Sequence, residues 1–394
     1  MGKWEESESN PLQLKWLRNP VKILGIHVSY DEKGNNRHNF NHKLQKLQTN
    51  LDLWRARDLT LFGRVLIIKS LALSQLVYSA SNLNVPHEIT PIIKSKLFKF
   101  LWQNKRDKIK REGLYQDRDK GGIRMIDIET MIKALRLAWI PRLFAPGRKN
   151  WKTIPDYYLG KYGGLSFLLR CNYGTKYIDG LPFFYKDILK FFNELKALYN
   201  YDRGQNMILF NNKEILVGGK PIFISEWFNS NILFIQDLLN SNGQFMTYQE
   251  FKNKFACKTN FLQFYQVVSA IPKHLATKAK NTVPPERELY IENSPFFQLD
   301  DLTAIHLGKA KTKDFYCLLN KKIYTRCQTG PTKWNQTMHL DEVAWKRIFN
   351  SLKNTCKEAK LKEFQFKLIH RIVVTKKELF RYGIKTDDEC LYCG

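Results

Sequence analysis

Leu44, Leu47, Leu51 and Trp54 fall at i, i+3, i+7 and i+10. Only an α-helix brings that spacing onto one face, because about 3.6 residues complete each turn. A face so apolar needs other elements against it, so this helix belongs to a bundle. Helical spacing continues downstream. A second helix is expected over about 60–80, a third over about 88–103 after Pro86, and a fourth from about 127 to Trp139, where Pro141 follows. Another is expected near 183–199. Thr247 with Glu250, and Thr375 with Glu378, have the spacing of a capping box and mark two further helix starts. Leu361, Phe364, Leu368 and Ile372 form a second apolar stripe, expected to face a core.

The β signals are short. Residues 12–30 read as two short strands; within them Val21–Val28 is β-branched and mostly apolar, and the Asp31–Asn36 stretch is rich in turn residues. Residues 206–224 read as a hairpin with turns at Asn211-Asn212 and Gly218-Gly219. Residues 146–181 show no clear period, and 273–300, which contain Pro284-Pro285, read as a linker. The expected fold is therefore mainly α with short β-hairpins, in two to three domains across 394 residues.

Charge narrows the partners. The net charge is +27, carried on a chain with 26 Phe, 18 Tyr and 9 Trp, a composition that excludes global disorder. Lys and Arg outnumber Asp and Glu by 20 to 9 over residues 51–150 and by 19 to 10 over 301–394. Over 151–300 the ratio is only 17 to 13. Two basic blocks on an aromatic-rich chain point to a polyanion, above all nucleic acid; general solubility charge is the alternative. Seven scattered cysteines and no signal peptide point to a reducing, intracellular compartment, nuclear or cytoplasmic. Apolar runs are short: Val65–Ile68 is ended by Lys69, so no membrane span is expected.

The densest cationic stretch, residues 94–111, holds eight Lys or Arg and one Asp. Within it Lys105, Arg106, Lys108, Lys110 and Arg111 are candidate phosphate contacts, whereas Phe98, Leu101 and Trp102 are read as core. Arg55, Arg57, Arg64 and Lys69 frame Trp54 and Gly63 as further candidates, and Lys120 precedes Gly121-Gly122. Each could equally be a solvated surface charge. Trp54 is expected in the core with Leu47 and Leu51.

Cys390 and Cys393 can grip one metal ion from a tight knuckle. A closed structural zinc site takes four ligands, so this is a half-site, and the chain is expected to stop inside a metal module. His370 is read as a packed or capping histidine, not a third ligand. Neither Asp300-Asp301 nor Asp387-Asp388 is placed on a hairpin by its neighbours, so no two-metal carboxylate site and no catalytic residue is assigned. No phosphate-binding glycine loop and no nucleophile elbow occur.

Four segments together resemble the region downstream of the polymerase active site in LINE-type non-LTR retrotransposon reverse transcriptases. Val21-Lys22-Ile23-Leu24-Gly25-Ile26 is similar to the strand that supports the primer end. Trp54-Arg55-Ala56-Arg57-Asp58-Leu59-Thr60-Leu61-Phe62-Gly63-Arg64, then Ile67-Ile68-Lys69, Tyr78 and Pro86, resembles the thumb. Phe100-Leu101-Trp102 through Lys120-Gly121-Gly122-Ile123 resembles the section that follows. Phe364–Arg371, Leu379, Gly383-Ile384, Cys390 and Cys393 resemble the start of the zinc-binding module.

The resemblance implies an end-of-palm strand pair (1–36), a helical thumb-like domain with a basic connector (37–145), a mixed α/β post-thumb domain (146–272), a linker (273–300) and a helical region leading into a truncated zinc module (301–394). It implies RNA, DNA or an RNA–DNA primer–template duplex as partner, zinc as a cofactor with an incomplete site, and Mg²⁺ only in a full-length RNA-directed DNA polymerase. The aromatic-x-Asp-Asp polymerase motif is missing, so polymerisation by this chain alone is not expected. A standalone nucleic-acid adaptor and a non-functional fragment of a decayed element are the rival readings.

Overall fold

The computed structural model describes residues 20–29, 31–145, 147, 150–174, 178, 180–199, 207–283, 296–300, 303–323, 329–354 and 357–389. Among these the chain is mainly α, with three short antiparallel strand pairs. It forms two compact units: residues 1–132 with 323–394, and residues 133–322.

The first unit opens with a hairpin. Val21–Ile23 pairs antiparallel with Ile26–Val28. The two short strands expected within 12–30 are these two. Leu24 and Gly25 both adopt positive φ, 48° and 82°, as a two-residue turn of type I′ requires. Buried Asn39 fixes the hairpin to the next helix: its amide accepts from the His27 N–H and donates to the His27 and Asn35 carbonyls, each at 2.8 Å. That helix spans Glu32–Arg55, so the expected turn at Asp31–Asn36 is its first turns, with Asp31 at the N-cap.

Leu47 and Leu51 are fully buried, as their spacing required. Trp54 is only half-buried; it is the last residue but one of the helix, and the Arg57 guanidinium covers its ring at 4.5 Å. The expected helix over 60–80 is broken into Leu61–Ile67, a π-helical turn Ile68–Ala72 and Ser74–Asn82, with a bend of 47°. The wider π turn changes the direction of the chain while Ile68 and Ala72 stay buried. Helix Ile89–Leu101 buries Ile93, Leu97, Phe98 and Leu101, and Trp102 after it is buried too, so the aromatics beside the cations are core. No single helix among the described residues is long and apolar enough to cross a membrane.

Helices Thr329–Met338, Glu342–Asn354 and Ala359–Ile369 return to this unit after the whole of residues 133–322. Phe349 of the second and His370 after the third seat on Gly121. A Cβ at Gly121 would lie 2.5 Å from the Phe349 ring, and one at Gly122 would lie 2.0 Å from the Gln116 carbonyl oxygen. Gly121 also has φ +80°, a conformation glycine adopts freely. His370 is buried beside Phe366 and Phe349, at ring separations of 4.3 and 6.2 Å, and its Nε2–H donates to the Gly121 carbonyl at 2.9 Å. Phe366 meets Phe62 edge-on at 5.6 Å, and Lys360 pairs with Asp58 at 2.9 Å.

This docking corrects the second apolar stripe. Leu361, Phe364 and Leu368 are about half exposed, at 49%, 51% and 48%, while Phe366 and His370 carry the buried face. The non-local seat at Gly121 and Phe62 decided the face, not the number of apolar residues.

The second unit is a core of aromatic and aliphatic side chains around Trp227, Phe251 and Phe264. Residues 146–181 include two short helices, Thr153–Gly160 and Gly164–Arg170, each too brief to show a period. Helix Phe183–Leu198 and the Thr247–Glu250 capping box occur as expected. Leu216–Val217 pairs with Lys220–Pro221 across Gly218-Gly219, both at positive φ. Residues expected as the start of a linker form helix Lys273–Lys280, which buries Leu275 and Ala279.

Phe296–Asp300 pairs antiparallel with Thr303–His306, so Asp300 does end a hairpin strand, against the expectation from its neighbours; Asp301 lies outside the described residues. Pairing of the two apolar flanks outweighs the local preference of the acids for a loop. Lys196 is buried and donates to the Cys171 and Leu169 carbonyls at 3.1 and 3.4 Å, capping the C-terminal end of Gly164–Arg170; burial lowers its pKa to about 7.

Burial lowers the His370 pKa to about 4. Between about pH 6.5 and 4 the unfolded chain therefore binds a proton that the folded chain does not, and stability falls as pH falls through that window. The loss below pH 4 should reach about 3 kcal/mol. Urea midpoints of the native chain and of His370→Gln, measured from pH 4 to 7, should converge towards low pH. Parallel pH profiles for the two proteins would contradict the burial of a neutral ring.

Candidate nucleic-acid interface

The basic connector begins where helix Ile89–Leu101 ends. Gln103 and Asn104 take positive φ, 51° and 61°, and the Asn104 N–H donates to the Lys99 carbonyl at 2.8 Å. Arg111 then folds back: its guanidinium lies 4.3 Å over the Phe98 ring and pairs with Asp107 at 2.6 Å. That clasp neutralises the one acid of the loop and leaves Lys105, Arg106, Lys108 and Lys110 exposed.

These cations border two recesses. One, of about 370 Å³, is lined by Lys99, Lys105, Arg106 and Arg111 around Asn104. The other, of about 420 Å³, has Lys108, Lys110 and Arg111 on one side and Lys333 and Arg371 on the other, with Asp107 its only carboxylate. Gly330 and His370 also line it. Thr329–Met338 can cross this close because a Cβ at Gly330 would lie 2.6 Å from the His370 Cα. The Trp334 indole N–H donates to the Ile369 carbonyl at 2.9 Å, and the Arg371 guanidinium lies 4.9 Å over the Trp334 ring. His370 is neutral at physiological pH, so it shapes this cleft and adds no charge.

Sequence reasoning did not find Lys333 or Arg371 as partners of the connector. The only pointer was the basic excess of the C-terminal block, which gives no position.

The remaining candidates divide by what holds them. The Arg64 guanidinium donates to the Leu101 carbonyl at 2.9 Å and is half-buried, with its pKa lowered by burial. Arg55 pairs with Asp52 at 3.1 Å, and Arg57 lies on Trp54. Arg64 thus ties two helices together, whereas Arg55 and Arg57 make contacts local to the end of helix Glu32–Arg55. Lys69, on the π turn, is partly buried; burial lowers its pKa first, and the nearby Arg118 and Arg124 add to this. Arg124 pairs with Asp117 at 2.7 Å. Lys120 is exposed. The chain thus presents a second, smaller cationic group opposite Asp117. Cys390 and Cys393 lie outside the described residues. Among the described residues no group of three or more His, Cys, Asp or Glu is poised to hold a metal.

No protein-family model matches the chain. It is 23% identical over 292 residues to a Xenopus laevis protein described as the transposon TX1 uncharacterized 149 kDa protein. That stretch is 71% of this chain and 22% of the Xenopus protein, so the chain spans about a fifth of this relative's length. The likeness supports a transposon origin.

The geometry separates Arg64 from the exposed connector lysines. Arg64→Ala should lower stability by about 1–2 kcal/mol, since it removes a charged donor from a partly buried carbonyl, and should leave the salt dependence of nucleic-acid binding unchanged. Chemical denaturation and anisotropy titrations check both. Native stability with a shallower salt slope would make Arg64 a phosphate contact instead.

Proposed function

We propose that the chain grips the nucleic-acid backbone as the C-terminal, post-active-site part of a LINE-type non-LTR retrotransposon reverse transcriptase. The cleft around residues 107–111 carries this reading: five cations from two distant segments surround a single carboxylate. Four segments in the family's order and the likeness to a transposon protein support it. In this reading residues 37–132 act as the thumb, and an RNA–DNA primer–template duplex lies along the connector.

Lysine ammonium groups on flexible stems suit phosphates without reading bases, because affinity then comes from counterion release. Arg371 and Arg111, fixed on Trp334 and Phe98, would set the register of the backbone while the exposed lysines follow it. Cys390 and Cys393 would supply two thiolates to a zinc ion whose other ligands come from elsewhere.

The proposal assigns this chain binding and not nucleotide transfer. With Mg²⁺ and deoxynucleotides it should leave a primed RNA template unextended; extension that is lost in Asp300→Asn with Asp301→Asn would overturn that assignment.

Binding has its own test. Replacing Lys108, Lys110, Lys333 and Arg371 by Ala should weaken duplex binding for all sequences alike. It should also flatten the slope of log K against log salt by up to roughly 4, at ~0.9 for each phosphate left without a cation. Anisotropy of a labelled primer–template at several salt concentrations reads this. Unchanged affinity and slope would remove the cleft from the interface.

A further inference from the structure

A separate recess of about 230 Å³ lies where the C-terminal helices seat on Gly121-Gly122. Phe62, Phe349 and Phe366 line it, with Arg118, Lys362 and Asn350. Its lining holds no carboxylate. It is smaller than the roughly 300–1,000 Å³ of sites for drug-sized ligands, so it suits one small ring system.

Its chemistry is specific. Phe62 and Phe366 meet edge-on at 5.6 Å, and the Arg118 guanidinium stands 5.8 Å from the Phe62 ring centre. Arg118 and Asn350 are exposed and Phe62 is half-buried, whereas Phe349 and Phe366 are buried against His370, so the recess has a polar rim beside the Phe62 ring. Aromatic faces take the π-surface of a base, a carboxamide can pair with its hydrogen-bonding edge, and cations at the rim match the attached phosphate. An aromatic side chain of a protein partner would leave both rim cations unmatched.

We propose that this recess holds one unpaired nucleobase of a bound strand, with its phosphate on Arg118 and Lys362. The inference rests on nucleic-acid binding by the basic cleft and adds a preference for strands that carry an unstacked base. A paired duplex would occupy the cleft alone; a bulge, flap or frayed end would occupy both.

The experiment uses the full 394-residue chain. One RNA–DNA duplex carries 2-aminopurine as a single-nucleotide bulge, and a second is fully paired. The bulged duplex should bind roughly tenfold more tightly, the scale of one base–aromatic stack, with a change in 2-aminopurine fluorescence on binding. Asn350→Ala should reduce that preference. Ala359→Phe, which sets a ring at the exposed edge of the recess without changing charge, should abolish it. Both variants should bind the paired duplex as the native chain does, which shows that they fold. Free AMP at millimolar concentration should leave the fluorescence signal intact.

Equal affinity for the two duplexes, or a preference that survives Ala359→Phe, would overturn the proposal. Displacement of the signal by micromolar AMP would assign the recess to a free nucleotide and overturn the strand-borne base. Failure of the native chain to bind either duplex would defeat nucleic-acid binding itself, and this inference with it.

Discussion

The first unit depends on the hydrogen bond from His370 to the Gly121 carbonyl, made inside a nest of Phe349 and Phe366. A buried carbonyl at the end of the basic connector has no helix or sheet partner of its own, and an imidazole supplied from 249 residues away satisfies it. Everything near it follows from that contact. Gly121 must lack a side chain for Phe349 to approach, and Gly122 for the Gln116 carbonyl to pass against it. The ring must stay neutral, because a charged imidazolium has no counter-ion there. Lys333 and Arg371 then face Lys108 and Lys110 across the cleft because the clasp brings their segments together.

Cation–aromatic contact recurs as the means of fixing charge. Arg111 on Phe98, Arg371 on Trp334 and Arg57 on Trp54 all lie within 5 Å of a ring centre. A guanidinium laid on a ring loses side-chain freedom before any ligand arrives, so in the proposed function its contacts with phosphate would carry a smaller entropic cost. The exposed lysines are free by contrast and serve adaptable contacts. The basic surface thus combines a few rigid cations with several loose ones.

Local features are legible in the sequence. The Leu47–Leu51 face, the capping boxes at Thr247 and Thr375 and the glycine turn at 218–219 depend only on residues a few positions apart, so spacing alone decides them. Features that depend on distant partners are not. The stripe of Leu361, Phe364 and Leu368 is more apolar than the face that is buried, yet Phe366 and His370 win because Phe62 and Gly121 await them. Arg64 has the surroundings of a ligand contact but holds the Leu101 carbonyl, a partner no local pattern reveals. Two short strands within 12–30 are legible, but their turn at Leu24-Gly25 is not, because a leucine at positive φ is unusual and only the hairpin makes it necessary. The connector lysines are legible as a charged loop; that they form one wall of a cleft is not.

The first unit is interrupted in sequence by the whole of the second. The connector emerges during synthesis well before the helices that complete it, since His370 follows Gly121 by 249 residues. At roughly 5–20 residues per second, translation needs on the order of 10–50 s to cover that gap. During this interval one wall of the cleft exists without the other, and the glycine seat is empty. A cleft with both walls therefore exists only once those helices have emerged, so the basic connector stands without its second wall while the second unit is made.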